Sequence, residues 1–253
     1  MAPDPFTTDA LLLIGHGSAR YSDAGRVLHA HAAVLRGHLQ FAQVAVGFLA
    51  GTPSASEALA SLSTPTVHVV PFFMEDGYFT RVAVPRALAP AGGQLIRYHP
   101  AVGTHSRMPG LIERCGLERC VALGLAPARL RLLLVGHGSS RTPGRVTALH
   151  RHAAMLTQGG RFAEVRIAFL EEAPLVATAL ARLRLDPVGV LGFFAGEGGH
   201  VRDDLPALIA AERTARAAAE AAGDHAARVF DFGTVAGSPD MPGIIMDLVA
   251  ADR

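Results

Sequence analysis

Three ionisable residues in the second half of the chain have the types and spacing of a metal site. His137 follows the apolar run "LLLVG", Glu171 follows "VRIAFL", and His200 comes shortly after "VGVLGFF". Such short apolar runs predict strands of a parallel sheet, and ligands bind beyond the carboxyl ends of such strands. Two imidazoles and a carboxylate at one edge can bind a borderline divalent metal and also accept protons. His137, Glu171 and His200 are therefore our candidates both for catalytic residues and for metal ligands.

The chain contains the same sequence unit twice. The segment "LLLIGHGSAR" begins at Leu11, and "LLLVGHGSSR" begins at Leu132, 121 residues further on. The same offset aligns "FAQVAVGFLAGTP" with "FAEVRIAFLEEAP", and "PFFMEDGYFTRVAVP" with "GFFAGEGGHVRDDLP". We therefore predict an internal duplication, with an N-terminal domain over residues 1–125 and a C-terminal domain over residues 126–253.

Both copies alternate short apolar runs with longer segments whose apolar residues recur at helical spacing, such as "AGRVLHAHAAVL". Continuous apolar strands joined by helices imply a parallel sheet that is covered on both faces. The sequence therefore predicts an α/β protein with two tandem, doubly wound parallel-sheet domains that face a cleft.

The two copies differ at the positions of the candidate metal ligands. Ala50 and Phe79 occupy the positions that match Glu171 and His200, and only His16 retains its type. The flanking apolar residues match closely, so the fold is kept in both copies while the ionisable set is kept in one. This asymmetry indicates a fuller site in the C-terminal copy and a degenerate one in the N-terminal copy.

Neighbouring polar residues have structural interpretations as well. A single histidine after a strand can simply bond a loop carbonyl, and the combination with Glu171 favours function over that role. Asp203 and Asp204 fit either a helix N-terminus or the positioning of a ligand. The histidine pairs on the predicted helices lie two residues apart, hence on different faces, so we predict that they are not ligands. These pairs are His29 with His31 and His150 with His152.

Composition excludes several function classes. All 23 basic residues are arginines, which excludes enzymes that need a Walker A or Schiff-base lysine and leaves arginine as the clamp for carboxylates. Cys115 and Cys120 lack the spacing of a zinc or iron–sulfur site, and we predict reduced thiols. "GHGSSR" lacks the third glycine of a dinucleotide fingerprint, and Ser18 and Ser139 lie outside any G-x-S-x-G motif, so loop bonding or helix capping is their expected role.

The net charge is +1, with acids and bases interspersed. We therefore expect a small-molecule partner, not a nucleic acid or a membrane. No apolar run reaches the length of about 18 residues that a membrane span needs, and the N-terminus lacks the pattern of a signal peptide. A cytoplasmic location is our expectation.

The motifs "LLLVGHGSSR", "AFLEEAP" and "GFFAGEGGHVRDDLP" resemble those of the class II tetrapyrrole chelatases, the sirohydrochlorin cobaltochelatases and ferrochelatases of the CbiX/SirB type. The resemblance covers nearly the whole chain, as two copies. It implies a lyase that inserts Co2+, Fe2+ or Ni2+ into sirohydrochlorin or another tetrapyrrole, in cobalamin- or siroheme-type biosynthesis. The metal is then a substrate, and no permanently bound cofactor is expected.

The resemblance also implies roles for individual residues. It assigns metal binding and proton acceptance to His137 and His200, with help from Glu171. Substrate contacts are expected nearby, from Arg141, Arg202, Ser139, Gly199 and His16. Short family members pair as homodimers, so this chain resembles a fused pseudo-dimer, either a monomer or a weak homo-oligomer. The competing hypothesis is a non-catalytic carrier of tetrapyrrole or metal, derived from a chelatase.

Overall fold

Each half of the chain builds its own four-stranded parallel sheet. The computed structural model describes residues 6–21, 23–38, 40–89, 93–139, 147–196 and 198–251. The strands of the first half are β1 (Ala10–Gly17), β2 (Gln43–Ala50), β3 (Thr66–Pro71) and β4 (Leu95–Tyr98), in the spatial order β2-β1-β3-β4. The helices of this half are α1 (Arg26–Gly37), α2 (Ala55–Ala60), α3 (Val84–Leu88) and α4 (Met108–Leu123), with a π-helical turn at Phe79–Ala83 and a 3-10 turn at Val102–Thr104.

The second half repeats this arrangement after a 3-10 turn at Pro127–Arg129. Its strands are β5 (Arg131–Gly136), β6 (Glu164–Phe169), β7 (Val188–Gly192) and β8 (Val229–Thr234), in the order β6-β5-β7-β8. Its helices are α5 (Thr147–Gly159), α6 (Val176–Arg182), α7 (Leu205–Ala221) and α8 (Met241–Ala250), with a π-helical turn at His200–Asp204. The two sheets have equivalent strand orders, which confirms the predicted α/β fold with an internal duplication.

The first strand of each repeat, β1 or β5, is an inner strand of its sheet and is buried over its apolar run. Leu11, Leu12, Leu13 and Ile14 of β1 have no exposed surface, and the same holds for "LLLV" of β5. A strand in the middle of a parallel sheet has helices on both faces, so none of its side chains can be polar without a partner. This explains why both copies begin with a continuous apolar run and not an alternating one.

Helices pack through one face, as the spacing predicts. In α1 the buried residues are Leu28, His31, Ala32 and Leu35, which recur at the spacing of one helix face. His31 is buried while His29 is exposed. In α5, likewise, His152 is buried and His150 is exposed. The prediction that each histidine pair divides between two faces of its helix is confirmed.

The compact units of the chain differ from the sequence repeats at their ends. Unit 1 consists of Met1–Ser106, Ala195–Gly198 and Pro239–Arg253, and unit 2 consists of Arg107–Phe194 and Gly199–Ser238. In unit 1, α8 packs against α1 and β3, whereas in unit 2, α4 packs against α5 and β8. The last helix of each sequence repeat thus belongs to the unit that holds the other repeat's sheet. The boundary between residues 125 and 126 describes the repeat and stays a prediction.

No helix within the described ranges has the length and apolar character that crossing a bilayer requires.

Candidate functional site at the carboxyl edge of the second sheet

Backbone pairing brings two of the predicted site residues side by side. The ladder between β5 and β6 continues past the strand ends, where the Leu170 amide donates to the Gly136 carbonyl at 3.2 Å. One step further, the Glu171 amide donates to the His137 carbonyl at 3.0 Å. Residues 34 positions apart in the sequence are therefore neighbours at the carboxyl edge of the sheet. This is the edge at which the sequence analysis places the site.

The side chains of His137 and Glu171 form a partly exposed pair. Nδ1 of His137 lies 3.7 Å from Oε2 of Glu171, and the two side chains are 48% and 45% exposed. The same Nδ1 lies 3.0 Å from the Gly138 carbonyl oxygen. Because a carbonyl can only accept, Nδ1 carries the proton and the lone pair of the neutral ring resides on Nε2. Nε2 is therefore the atom able to bind a metal or take a proton.

The third predicted residue, His200, opens the π-helical turn that precedes α7. This turn follows β7, whose ladder to β5 is extended by the Phe193 amide donating to Val135 at 2.7 Å. The side chain of His200 lies outside the described part of the chain, as does the whole of Arg141. Among the side chains that are described, no group of three or more His, Cys, Asp or Glu has the spacing of a metal centre.

The first repeat shows what replaces this site when its ionisable residues are missing. The ring of His16 packs edge-on against Phe79 at a centroid distance of 4.8 Å. Nδ1 of His16 lies 3.0 Å from the Gly17 carbonyl, so the ring has the same tautomer as His137. Phe79 opens the π-helical turn of the first repeat, as His200 opens that of the second. At this edge of the first sheet, the contact between His16 and Phe79 thus takes the place of an ionisable pair.

Glu172 is a further candidate for the site that the sequence pattern did not reveal. Its side chain is only 8% exposed, and its Oε2 accepts a hydrogen bond from the Ser139 amide at 2.7 Å. A Cβ on Gly138, whose φ is +74°, would lie 2.7 Å from Cγ of Glu172. The loop that carries His137 is therefore shaped by a glycine and held by a buried carboxylate. The aligned residue of the first copy is Gly51, so the comparison of repeats held a signal for this role.

The remaining predicted substrate contacts lie on the same loops. Ser139 is part of the loop after β5, whereas Gly199 and Arg202 lie at the π-helical turn before α7. Arg202 aligns with Arg81, which pairs with Asp76 at 2.8 Å. The hydrogen bonds from Arg81 and Thr80 lower the pKa of the Asp76 carboxyl below its usual range. Arg81 is therefore paired with a carboxylate within the first repeat.

Comparison with known proteins decides the family. The model of the CbiX family matches residues 10–115 and again residues 131–238, which together span most of the chain. The chain belongs to the CbiX family. Both matched segments include the "GHGS" loop of their repeat, so the internal duplication is a duplication of the CbiX unit.

Relatives of this CbiX-family chain include proteins whose structures have been solved. A protein of Halobacterium salinarum described as a probable sirohydrochlorin cobaltochelatase is 29% identical over 226 residues, which are 78% of this chain and 75% of that protein. A solved CbiX, described as the terminal enzyme of siroheme biosynthesis in denitrifying bacteria, is 27% identical with a TM-score of 0.72, and the match covers 96% of this chain and 99% of that one.

Two further structures share the fold of the CbiX family. A multi-domain protein from Deinococcus radiodurans, described as structurally similar to chelatases, has a TM-score of 0.79 and 26% identity. The match covers 97% of this chain but spans only 55% of that protein. The sirohydrochlorin chelatase SirB from Bacillus subtilis subspecies spizizenii, solved in complex with cobalt, has a TM-score of 0.71, 16% identity and a match over 96% of this chain and 94% of its own.

Proposed function

We propose that this chain is a chelatase, a lyase that inserts Co2+ or Fe2+ into sirohydrochlorin or a related tetrapyrrole, with Ni2+ as a third candidate metal. The observation that carries the proposal is the pairing of His137 with Glu171 at the carboxyl edge of a CbiX-type sheet. The relative described as a probable sirohydrochlorin cobaltochelatase, together with the CbiX described as the terminal enzyme of siroheme biosynthesis, supports the substrate class. The place of the reaction is cobalamin- or siroheme-type biosynthesis.

Metal insertion sets two chemical demands at one place. Two pyrrole N–H protons leave the macrocycle, while the divalent ion exchanges bound water for four pyrrole nitrogens. The metal is not reduced or oxidised, and the two protons pass to bases in the site or to water. A site for this reaction therefore needs a weak metal ligand that can release the ion, together with a base close to it.

His137 and Glu171 meet these demands. Nε2 of His137 holds the lone pair that binds the ion, because Nδ1 is committed as a donor to the Gly138 carbonyl. Glu171 supplies a carboxylate that serves as a second ligand or as an acceptor of a pyrrole proton. Both side chains are about half exposed, which leaves room for a large planar substrate. Exposure also keeps ion binding loose enough for transfer.

The proposal includes His200 as the third member of the set. Phe79 occupies the aligned position in the first repeat, where its ring lies against His16. The shared backbone position of Phe79 and His200, each at the start of a π-helical turn, supports the inclusion of His200 in the set. His200 then acts as the second metal ligand or proton acceptor.

The proposal also includes the substrate contacts that the family resemblance implies. Arg202 and Arg141 pair with carboxylates of the tetrapyrrole, and Ser139 and Gly199 contact the macrocycle through the two loops. His16 contacts the substrate from the first repeat. We further propose that the protein is cytoplasmic. It acts either as a monomer, whose two repeats correspond to the two subunits of a homodimer, or as a weak homo-oligomer.

The experiment is an anaerobic absorbance time course of sirohydrochlorin with Co2+, Fe2+ or Ni2+. Catalytic amounts of protein should accelerate the spectral change over many turnovers. His137→Ala, His200→Ala and Glu171→Gln should each lower kcat by at least about a hundredfold, in the range of lost general-base or ligand function. His29→Ala, on the exposed face of α1, is the matched control and should retain the parent rate.

The outcome also separates the enzyme from the carrier. A spectral change that stops at one equivalent of protein, with no further turnover, would replace the chelatase with a tetrapyrrole-binding carrier. Turnover that survives in both His137→Ala and His200→Ala would refute the assignment of the site to the second sheet.

A further inference from the structure

A cavity of about 510 Å3 lies in unit 2, at the amino end of β8. Its walls come from the C-terminal halves of α4 and α7 and from the first residues of β8. Because β8 lies parallel to the other strands, this cavity is at the end of the sheet opposite to His137. Its volume is typical of sites for small molecules. Four arginines contribute to the lining: Arg119, Arg213, Arg216 and Arg228.

One of these arginines is part of the protein core. Arg216 is only 4% exposed, and its Nε donates to Glu212 at 2.8 Å. Its remaining donors bind backbone carbonyls, among them those of Leu180 at 3.0 Å and Leu183 at 3.2 Å. The charge of Arg216 is therefore compensated, and this residue forms the floor of the cavity without being available to a ligand.

Two others are fixed by the outer edge of β8. Nε of Arg213 donates to the Val229 carbonyl at 2.9 Å, and one terminal nitrogen of Arg119 contacts the Asp231 carbonyl at 3.3 Å. Carbonyls two residues apart in a strand are separated by roughly 6.6 Å. Each guanidinium has five N–H donors in total, so most of them remain available. The strand edge thus holds two forked donors at a defined spacing.

The charges of these arginines are not compensated within the described residues. Neither Arg119, Arg213 nor Arg228 forms an ion pair with a carboxylate in the part of the chain that the structure describes. The guanidinium of Arg228 lies over the Phe230 ring, 5.0 Å from its centroid, which fixes a third cation beside the cavity.

Two acidic residues also line the cavity and do not cancel these charges. The Asp231 carboxylate accepts a hydrogen bond from the Gly233 amide at 2.8 Å, so it is directed along the strand. Glu220 is exposed at the C-terminal end of α7. Three exposed guanidiniums therefore face two carboxylates, one of which is engaged elsewhere.

We propose that this cavity binds a small anion with two oxyanion groups, of the diphosphate or dicarboxylate type. Arginine forks recognise carboxylate and phosphate oxygens in pairs, and Arg119 and Arg213, anchored on two outward carbonyls of β8, supply one fork for each of two such groups. A bound dianion would connect α4, α7 and β8. It would therefore stabilise unit 2 by RT ln(1 + c/Kd), where c is the free anion concentration, an effect that grows with the logarithm of c. The site is separate from the proposed metal-insertion site.

The test is calorimetric titration of the full chain with pyrophosphate, succinate and acetate, without metal ions and at constant ionic strength. We expect saturable binding of pyrophosphate or succinate near one equivalent, at least about tenfold tighter than acetate, because a second arginine contact adds a charge-assisted bond. Arg119→Gln and Arg213→Gln should each weaken this binding by about tenfold or more. Arg166→Gln, on β6 at the other edge of the sheet, should bind as the parent does.

A thermal-unfolding series distinguishes the anion site from a purely structural role. If Arg119 and Arg213 only cover the strand edge, the double variant will lower Tm equally with and without pyrophosphate, and the proposal falls. It falls as well if neither dianion binds saturably, or if Arg166→Gln loses as much affinity. An anion-dependent rise in Tm that disappears only in the Arg119 and Arg213 variants supports it. Chelatase turnover is not a readout here, so failure of either proposal is seen separately.

Discussion

Replacement of the buried Glu172 tests whether the loop that carries His137 must be held in place for activity. The Glu172 carboxylate accepts a hydrogen bond from the Ser139 amide at 2.7 Å, and it has no direct part in the proposed metal-insertion chemistry. It is therefore a positioning residue. Glu172→Ala removes the acceptor, whereas Glu172→Gln keeps an acceptor of the same size and removes the charge.

The expected losses of loop stability follow from the strength of the hydrogen bond between Glu172 and the Ser139 amide. A hydrogen bond to a charged group contributes about 1.5–3 kcal/mol, compared with about 1 kcal/mol for a neutral one. Glu172→Gln should thus cost about 1 kcal/mol and Glu172→Ala about 2–3 kcal/mol of loop stability. If the Glu172 hydrogen bond decides whether the loop adopts the native form that turnover needs, these energies correspond to losses in kcat of up to about fivefold for Glu172→Gln and about thirtyfold or more for Glu172→Ala.

The assay is the anaerobic chelatase time course, with kcat and KM measured for the metal at saturating tetrapyrrole. Urea unfolding of the same samples establishes the fraction folded. Glu118→Ala, at an exposed position of α4, is the control for loss of a glutamate and should leave both kcat and stability unchanged.

Two results would contradict the proposed role of Glu172 in holding the loop. Unchanged kcat in a folded Glu172→Ala protein would mean that the loop needs no such support. Equal losses in Glu172→Ala and Glu172→Gln would mean that the charge itself, and not the placement of the loop, is what matters.

Three further predictions concern residues elsewhere. Arg216→Met should lower the free energy of unfolding by about 3–5 kcal/mol in urea titrations, because Glu212 loses its buried partner. Its control is Arg184→Met, which removes an exposed ion pair and should lower the free energy of unfolding by at most about 1 kcal/mol. His16→Ala should keep most of the turnover in the time course, and a loss as large as in His200→Ala would mean that both repeats build the site. Burial raises the pKa of the Cys120 thiol, so a disulfide reagent should modify half-buried Cys115 first; faster reaction at Cys120 would contradict its burial.

The fold could be predicted from the sequence because burial leaves a pattern in it. A strand with helices on both faces is mostly apolar. The apolar runs that begin at Leu11 and Leu132 have this pattern, and both are buried. The repeat added a comparison within one chain, which singled out Glu171 and His200 by what replaces them in the first copy. Apolar runs and differences between repeats depend only on residue types and their spacing, which can be read from the sequence.

The packing partners of the helices could not be predicted in this way. The apolar face of α4 shows that the helix is buried, but it does not say against which sheet. The structure places α4 with β8 and α8 with β3, so that compact units and sequence repeats end at different residues. Apolar burial is non-directional, and many partners satisfy the same pattern.

Two CbiX-type sheets, with ionisable residues at the carboxyl edge of the second, could be predicted from the order of residues along the chain. The atoms that meet at this edge emerge only on folding: His137 pairs with Glu171 across the extended ladder, and Glu172 is buried beneath the loop. Periodicity in a sequence reports how exposed each position is, whereas hydrogen bonds and charge pairs depend on direction and on distances of a few tenths of an ångström, which the folded backbone alone sets.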